Sequence, residues 1–239
     1  MGAEYSFCMH SLFRDLRFAW RLLLRSPGFA VTAVVCLALG MGATTAVFTV
    51  VDAVLFRPLP YENPERLVRI YSEFPTFPNG GLLRFPVSPP EFMEIRESLR
   101  SYGHIDAWAV TAVNLVTAAE PVRVTATLVS GTLFETLGVS PQQGRWIDAA
   151  DDREGASLAI VISDGLWRRA FGGSPDVIGR ETKMEGAPAT VVGIMPPAFQ
   201  FPPGQVDVSE VWSPLQLTAA SRQRRGNHYL AVLAKLRNT

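Results

Sequence analysis

From Ser26 to Val51 the chain runs for 26 residues without a charge: SPGFAVTAVVCLALGMGATTAVFTVV. A helix rises about 1.5 Å per residue and the hydrocarbon core of a bilayer is about 30 Å thick, so roughly 20 apolar residues cross it. In lipid, a helix is the one single-segment conformation that satisfies every backbone N–H and C=O. The competing reading is a cleaved signal peptide, with small residues near Ala43 to Ala46 as the processing site and Arg14 to Arg25 as the basic leader. Signal peptides have apolar regions of about 7 to 15 residues. This one continues through Val47, Phe48 and Val50, and its charged leader is long. The sequence therefore predicts an uncleaved transmembrane helix within residues 26–56.

Composition agrees once it is divided at that helix. The 239 residues hold 22 basic and 22 acidic side chains, and the mean hydropathy is +0.16 although 18% of residues are charged. A net charge of zero argues against a nucleic-acid partner, which usually selects a basic surplus. Residues 1–25 carry Arg14, Arg17, Arg21 and Arg25 against Glu4 and Asp15, a net +2; residues 52–239 carry a net −2. Basic flanks stay in the cytoplasm. The expected topology is single-pass in the inner or plasma membrane, with a cytoplasmic N-terminus and residues 57–239 extracytoplasmic. At about 100° per residue the four arginines fall within roughly 80° of one another. Leu12, Leu16, Ala19 and Leu23 lie opposite them, with Trp20 at the edge. Residues 1–25 thus read as an interfacial amphipathic helix, its guanidinium groups toward anionic headgroups of the lipid bilayer. A cytosolic helix end bearing a positive-inside cluster is the plainer alternative.

Inside the span, Gly40/Thr44 and Gly42/Ala46 are small residues at i, i+4. Such pairs let a second helix approach closely, so partner helices are expected. Cys8 precedes the span and Cys36 lies in it, so no disulfide can staple the outer part.

Residues 57–239 read as one extracytoplasmic domain of mixed helices and strands. Pro58 and Pro60 fix φ and form a stiff connector, or simply stop the helix. Strands are predicted at 67–71, 105–117, 122–129, 158–162 and 229–236, and a hairpin at 180–195 that turns at Glu185-Gly186. Ser88-Pro89-Pro90-Glu91 is a capping box with proline at the first helical position, opening a helix to about Arg100. Thr132–Leu137, closed by Gly138, is a short helix, as is Gly165–Phe171 after Ser163 or Asp164. The Pro75–Pro90 stretch reads as loop. This mixture implies an α+β fold. The last strand ends almost at Thr239, so the domain is expected to be cut short at its C-terminal end.

Motifs of chemistry are missing. His10, His104 and His228 are scattered, and no HExxH, CxxC or P-loop string occurs. Ser163 follows a strand and precedes a helix, as a hydrolase nucleophile does, but Val161-Ile162-Ser163-Asp164-Gly165 lacks the first glycine of that turn, which favours a helix cap. Asp148, Asp151, Asp152 and Glu154 form an acidic run. Its spacing is not that of an EF-hand, so a solvated turn is expected rather than a calcium loop. Arg222, Arg224 and Arg225 read as a solvated basic loop. No enzymatic activity, cofactor or metal is expected.

The string RDLRFAWRLLLRSPGFAVTAVVCLALGMGATTAVFTVVDAVLFRPLPY, from Arg14 to Tyr61, resembles the opening of permeases in the MacB/FtsX superfamily. It is most similar to the duplicated orphan type. The resemblance continues through SPPEFMEIRE, GTLFETLGVSPQQGRWI, VISDGLWRRAFGGSPDVIGR, VVGIMPPAFQFP and RGNHYLAVLAKL. It implies a first membrane helix followed by a two-lobed MacB-like periplasmic core domain. In the family, further spans and in the duplicated type a second permease copy follow. The resemblance thus implies other permease helices or a second copy as partners, and a separate ATPase subunit whose cycle moves the outer domain. A single-pass anchored binding or sensor module, and a secreted enzyme released by signal cleavage, are the competing readings of the same layout.

Overall fold

The computed structural model describes residues 21, 25–52, 61–78, 80–100, 103–117 and 120–237. They fall into two compact units, divided after Pro58.

The first unit contains helix α1, Pro27–Val51. Ser26 precedes it, and proline at its first position costs no hydrogen bond because that N–H is an orphan in any helix. Its mean hydropathy is 2.0 over Pro27–Thr49, and none of that stretch is buried within the protein. Phe29, Val31, Val34, Leu37, Leu39, Met41, Val47 and Phe48 are all exposed. They point around the whole circumference, whereas a surface helix of a soluble domain keeps one polar face.

The second unit is built on a nine-stranded mixed sheet. Its strands are β1 (Leu67–Ile70), β4 (Gly103–Val116), β5 (Pro121–Val129), β6 (Gln143–Gly144), β7 (Leu158–Ile162), β8 (Glu181–Met184), β9 (Ala187–Ile194), β10 (Val211–Pro214) and β11 (Ala231–Leu236). Strands β2 (Ser72–Phe74) and β3 (Leu82–Phe85) form a separate hairpin. The helices are α2 (Pro89–Ser98), α3 (Leu133–Leu137) and α4 (Asp164–Phe171). The order runs β1-β11-β4-β5-β10-β7-β9-β6, and β8 pairs with both β9 and β4. Strands β4, β5, β10, β7, β9 and β8 therefore close a ring of pairings.

Alternation along the strands divides the core. On one face, Val113, Leu115, Val124, Ala126, Ile160, Ile162 and Val191 pack with Leu166 and Phe171 of α4. On the same face of β4, Ile105 and Ala107 join Val232 and Ala234 of β11 under Phe92 of α2. The opposite parity, Trp108, Val129, Val161, Trp212 and Leu233, packs on Leu133, Phe134 and Leu137 of α3.

The α+β class and the predicted strands and helices agree with this arrangement, usually within two residues. Glu91 accepts from the backbone N–H of Ser88 at 2.9 Å, the carboxylate half of the capping box, and also from the Ser88 hydroxyl at 2.9 Å. Ser163 caps α4 by accepting from the Leu166 N–H at 3.1 Å. Glu185 and Gly186 both take positive φ in the β8–β9 turn, the twist a two-residue hairpin prefers. One expectation is corrected and a second is sharpened. The Pro75–Pro90 stretch is not all loop: β3 lies inside it, paired with β2 around a turn that holds Gly80 and Gly81 at positive φ.

The acidic run does form a turn with Glu154 exposed, but its carboxylates are tied down rather than free in solvent. Asp152 is half-buried and accepts from the N–H groups of Gln216 (2.7 Å) and Gly131 (3.0 Å). Asp151 takes both guanidinium nitrogens of Arg145, at 2.6 and 2.9 Å, and Glu154 caps the Ala219 N–H. Burial pushes the Asp152 carboxyl above its ordinary value. Burial also raises Asp151, but the hydrogen bonds from Arg145 and the Asp148 N–H outweigh it and hold that carboxyl low.

Candidate functional site

Among the described residues two places stand out where such a chain could act: the apolar helix, and the segment by which the sheet domain receives the chain coming from it.

On α1 the hydroxyls of Thr32, Thr44 and Thr49 donate to the carbonyls four residues back, Gly28, Gly40 and Thr45, at 2.9, 2.7 and 2.8 Å. Each polar group is thereby satisfied inside its own helix, as lipid demands. At Gly40 and Gly42 an added Cβ would meet open space. The two small-residue pairs stand on roughly opposite sides of the helix, since two residues advance it by about 200°. They make two narrow faces rather than one stripe. Arg21 and Arg25 are exposed and have helical backbone. Arg14, Arg17, Pro58 and Pro60 lie outside the described residues.

In the sheet domain, the first described residue is Tyr61, and it is buried. Its ring meets Phe199 and Phe201 edge-on, with centroids 6.5 and 6.2 Å apart, and its hydroxyl donates to the Gln200 carbonyl at 2.6 Å. Burial pushes the phenol pKa up, so it remains a donor. Phe201 packs on Trp108 and Phe199 on Trp212, at 5.0 and 5.1 Å, which ties the anchor to the centre of the sheet. The Trp212 Nε1–H donates to the Phe201 carbonyl at 3.1 Å.

The next residues clamp in turn. The Glu62 N–H donates to the Leu137 carbonyl at 2.9 Å, at the C-terminus of α3. Gly138 there has φ +68°, and an added Cβ would collide with the Glu62 side chain, so glycine is needed on both counts. The Glu62 carboxylate lies 3.7 Å from Lys235 Nζ, and Arg66 donates to the Leu236 carbonyl. Strand β1 then pairs antiparallel with β11, Leu67 opposite Lys235. The segment that brings the chain into the domain and the last described strand thus lie side by side. Beside them, Tyr61, Leu67, Trp108, Leu137 and Leu233 line an apolar cavity of about 140 Å³, with the Arg69 guanidinium 4.5 Å from the Trp108 ring centroid.

A buried polar knot fixes the partner helix. Asp106, fully buried on β4, accepts from the hydroxyls of Ser130 (2.7 Å), Thr132 (2.5 Å) and Thr136 (2.6 Å), and Ser130 Oγ accepts from the Ala107 N–H. It pins α3, and with it the Leu137 carbonyl that holds Glu62. Sequence reading did not single out Tyr61 or Asp106. The aromatic pair Phe199 and Phe201 and the tyrosine just past Pro58 and Pro60 were the available signals; nothing local marks an aspartate in an apolar strand as structural.

The ligand chemistry that was weighed in sequence does not assemble here. Ser163 caps a helix, and among the described residues no group of three or more His, Cys, Asp or Glu side chains could hold a metal ion. Arg225 pairs with Glu94, and Arg222 Nε donates to the Leu217 carbonyl at 2.9 Å, so the basic loop is tied to its surroundings.

Comparison with known proteins bears on the whole chain. The extracellular domain of the noncanonic ABC-type transporter YknZ from Gram-positive bacteria is 17% identical, covering 72% of this chain and 83% of its own, with a TM-score of 0.49. A domain described as part of a permease protein from Porphyromonas gingivalis is 15% identical, covering 76% of each chain, with a TM-score of 0.56. The periplasmic region of MacB from Actinobacillus actinomycetemcomitans is 13% identical, covering 74% and 79%, with a TM-score of 0.47. At these identities the likeness is one of fold, and it rests on the Porphyromonas domain. No curated protein matches the chain. The family described as MacB-like periplasmic core domain matches residues 30–239, beginning inside α1 and taking in Tyr61 and the whole sheet. The chain, an apolar helix followed by a sheet-rich domain, belongs to the MacB-like periplasmic core domain family.

Proposed function

We propose that this chain is the N-terminal part of a permease subunit of the MacB/FtsX superfamily, of the duplicated orphan type. Its outer domain is moved by transmembrane helices that a separate ATPase drives. The observation that carries the reading is the double clamp at the sheet edge. Tyr61 and Glu62 grip the incoming chain, and β11 lies between β1 and β4, so displacement of the incoming chain loads these three strands together. Motion delivered there reaches the central sheet through Trp108 and Phe201 rather than dissipating in a loop.

In this proposal α1 spans the cell membrane with its N-terminus in the cytoplasm. Arg14, Arg17, Arg21 and Arg25 lie on the inner headgroups, and the small residues Gly40, Gly42, Thr44 and Ala46 meet helices of the same or a second permease copy. Pro58 and Pro60 stiffen the joint. The outer domain performs no catalysis.

The test is affinity purification of the tagged permease from its own membranes in mild detergent. The proposal expects an ABC-type ATPase to co-purify in near-stoichiometric amount. Recovery of the permease alone, with its lipid contacts preserved, contradicts the coupling and favours an anchored module.

A further inference from the structure

We infer that the cavity between α2 and the turn Ser221–Gln223 is a binding site for a carboxylate carried on a short apolar stem. Several segments of the sheet domain converge on it: α2, the loop into α3 at Gly131, the turn that ends in Asp152, the stretch after β10 and Arg222. Its volume is about 180 Å³. A cavity of about 150 Å³ holds one benzene ring, so this one takes a group of that size and not a nucleotide or a sugar chain.

The walls sort the chemistry. Phe92, Leu215 and Leu217 belong to the apolar cluster beneath α2, and the exposed Met93 completes that side. Against them stand two guanidinium groups. Arg96 follows Phe92 by four residues on the same face of α2, with its guanidinium carbon 5.9 Å from the ring centroid. It has no hydrogen-bond or ion-pair partner among the described residues. Arg222 commits only Nε of its side chain, to the Leu217 carbonyl at 2.9 Å.

The acid in the lining is already spent. Asp152 accepts from the Gln216 N–H through Oδ1 and from the Gly131 N–H through Oδ2. The neighbouring carboxylates are engaged as well: Glu94 with Arg225, Glu97 with Arg100 at 3.2 Å, and Glu154 with the Ala219 N–H. Two cations against one anion leave the cavity with positive charge and with donors that lack acceptors.

A carboxylate supplies what is lacking. It is planar, carries two acceptor oxygens and matches the guanidinium fork. A short stem behind it covers Phe92, Met93 and the two leucines, which inorganic phosphate would leave bare. The same chemistry has two sources, a free short-chain acid and an acidic side chain of a peptide. The Tyr61 clamp uses none of these side chains, so the site stands whether or not an ATPase drives the domain.

NMR of the full chain in detergent, with isotope-labelled methionine methyl groups, tests it because Met93 lines the cavity. Met184 and Met195, buried in the two other core clusters, serve as references. Sodium butyrate is expected to shift the Met93 methyl resonance saturably, with an affinity in roughly the millimolar range. Butyramide, the same stem without the charge, should leave it in place at equal ionic strength. Arg96→Gln and Arg222→Gln should each weaken butyrate binding by about tenfold or more, with unmoved Met184 and Met195 resonances showing that the variant is folded. N-acetyl-glutamate N-methylamide separates the sources: tighter binding than butyrate assigns the site to an acidic peptide residue, weaker binding to a free acid. No saturable shift with either acid overturns the site. So does a butyramide shift equal to that of butyrate, or undiminished binding to folded Arg96→Gln.

Discussion

Tyr61 stands where the chain, past its apolar helix and the prolines that follow, commits a side chain to a packed interior. Its two contributions differ in kind. The hydroxyl bond to the Gln200 carbonyl satisfies a donor that burial would otherwise strand, and such a bond is worth about 1 kcal/mol net. The ring fills space among Phe199, Phe201 and Leu137, and truncating an aromatic in such a cluster costs about 3–5 kcal/mol. Tyr61→Phe should therefore lower the stability of the outer domain by about 1 kcal/mol, and Tyr61→Ala by about 3 kcal/mol or more. Urea unfolding in detergent, followed by tryptophan fluorescence, measures both. If Tyr61→Ala unfolded within about 1 kcal/mol of wild type, Tyr61 would be no anchor.

Among elements, the segment 145–156 shows how a stretch that reads as solvated becomes structural. Asp151 is gripped by Arg145 and the Asp148 N–H, Asp152 by two backbone N–H groups, and Glu154 by a third. Because the Asp151 carboxyl is held below its unfolded value, its contribution is complete above the ordinary aspartate range. It is lost as pH falls through that depressed value. Asp152 has the opposite sign: raised by burial, it favours folding most when protonated and loses that contribution as pH climbs to its raised value. Asp151→Asn should cost about 1 kcal/mol at neutral pH and progressively less as acid takes the pH down through the depressed value of the wild-type carboxyl. Urea midpoints across that range measure it, and a cost that does not shrink with acid would contradict the assignment.

The same elements show what sequence could tell. Capping chemistry is local, so α2 from Ser88-Pro-Pro-Glu91 and α4 from Ser163 were legible, as were strands with β-branched runs such as Leu158–Ile162. Strand β10 was not, because Val211–Pro214 is four residues long and ends in proline; only its neighbours β5 and β7 make it a strand. The β2–β3 pair hid in a stretch dense in proline and glycine. Closure of the ring by β8 is a long-range event with no local signature, and so are the grip on Tyr61 and the hydroxyls around Asp106.

At the scale of the whole molecule, the account joins two solvents. Helix α1 is apolar on every side and internalises its hydroxyls, and in the proposed topology the charge balance, +2 before it and −2 after, sets the arginines inside and the sheet domain outside. Membership of the family makes residues 30–239 a MacB-like periplasmic core domain, and the proposed function makes that domain part of a permease. Its side of the membrane is what every mechanical reading of the Tyr61 clamp depends on. Val206 is 98% exposed in the outer domain, and the native cysteines are Cys8 and Cys36 alone. Replacing those two with serine and introducing Val206→Cys gives one reactive thiol. A membrane-impermeant maleimide should label it in cells whose inner membrane is intact and whose outer layers are permeable. Labelling only after that membrane is broken would place the domain in the cytoplasm and contradict the account.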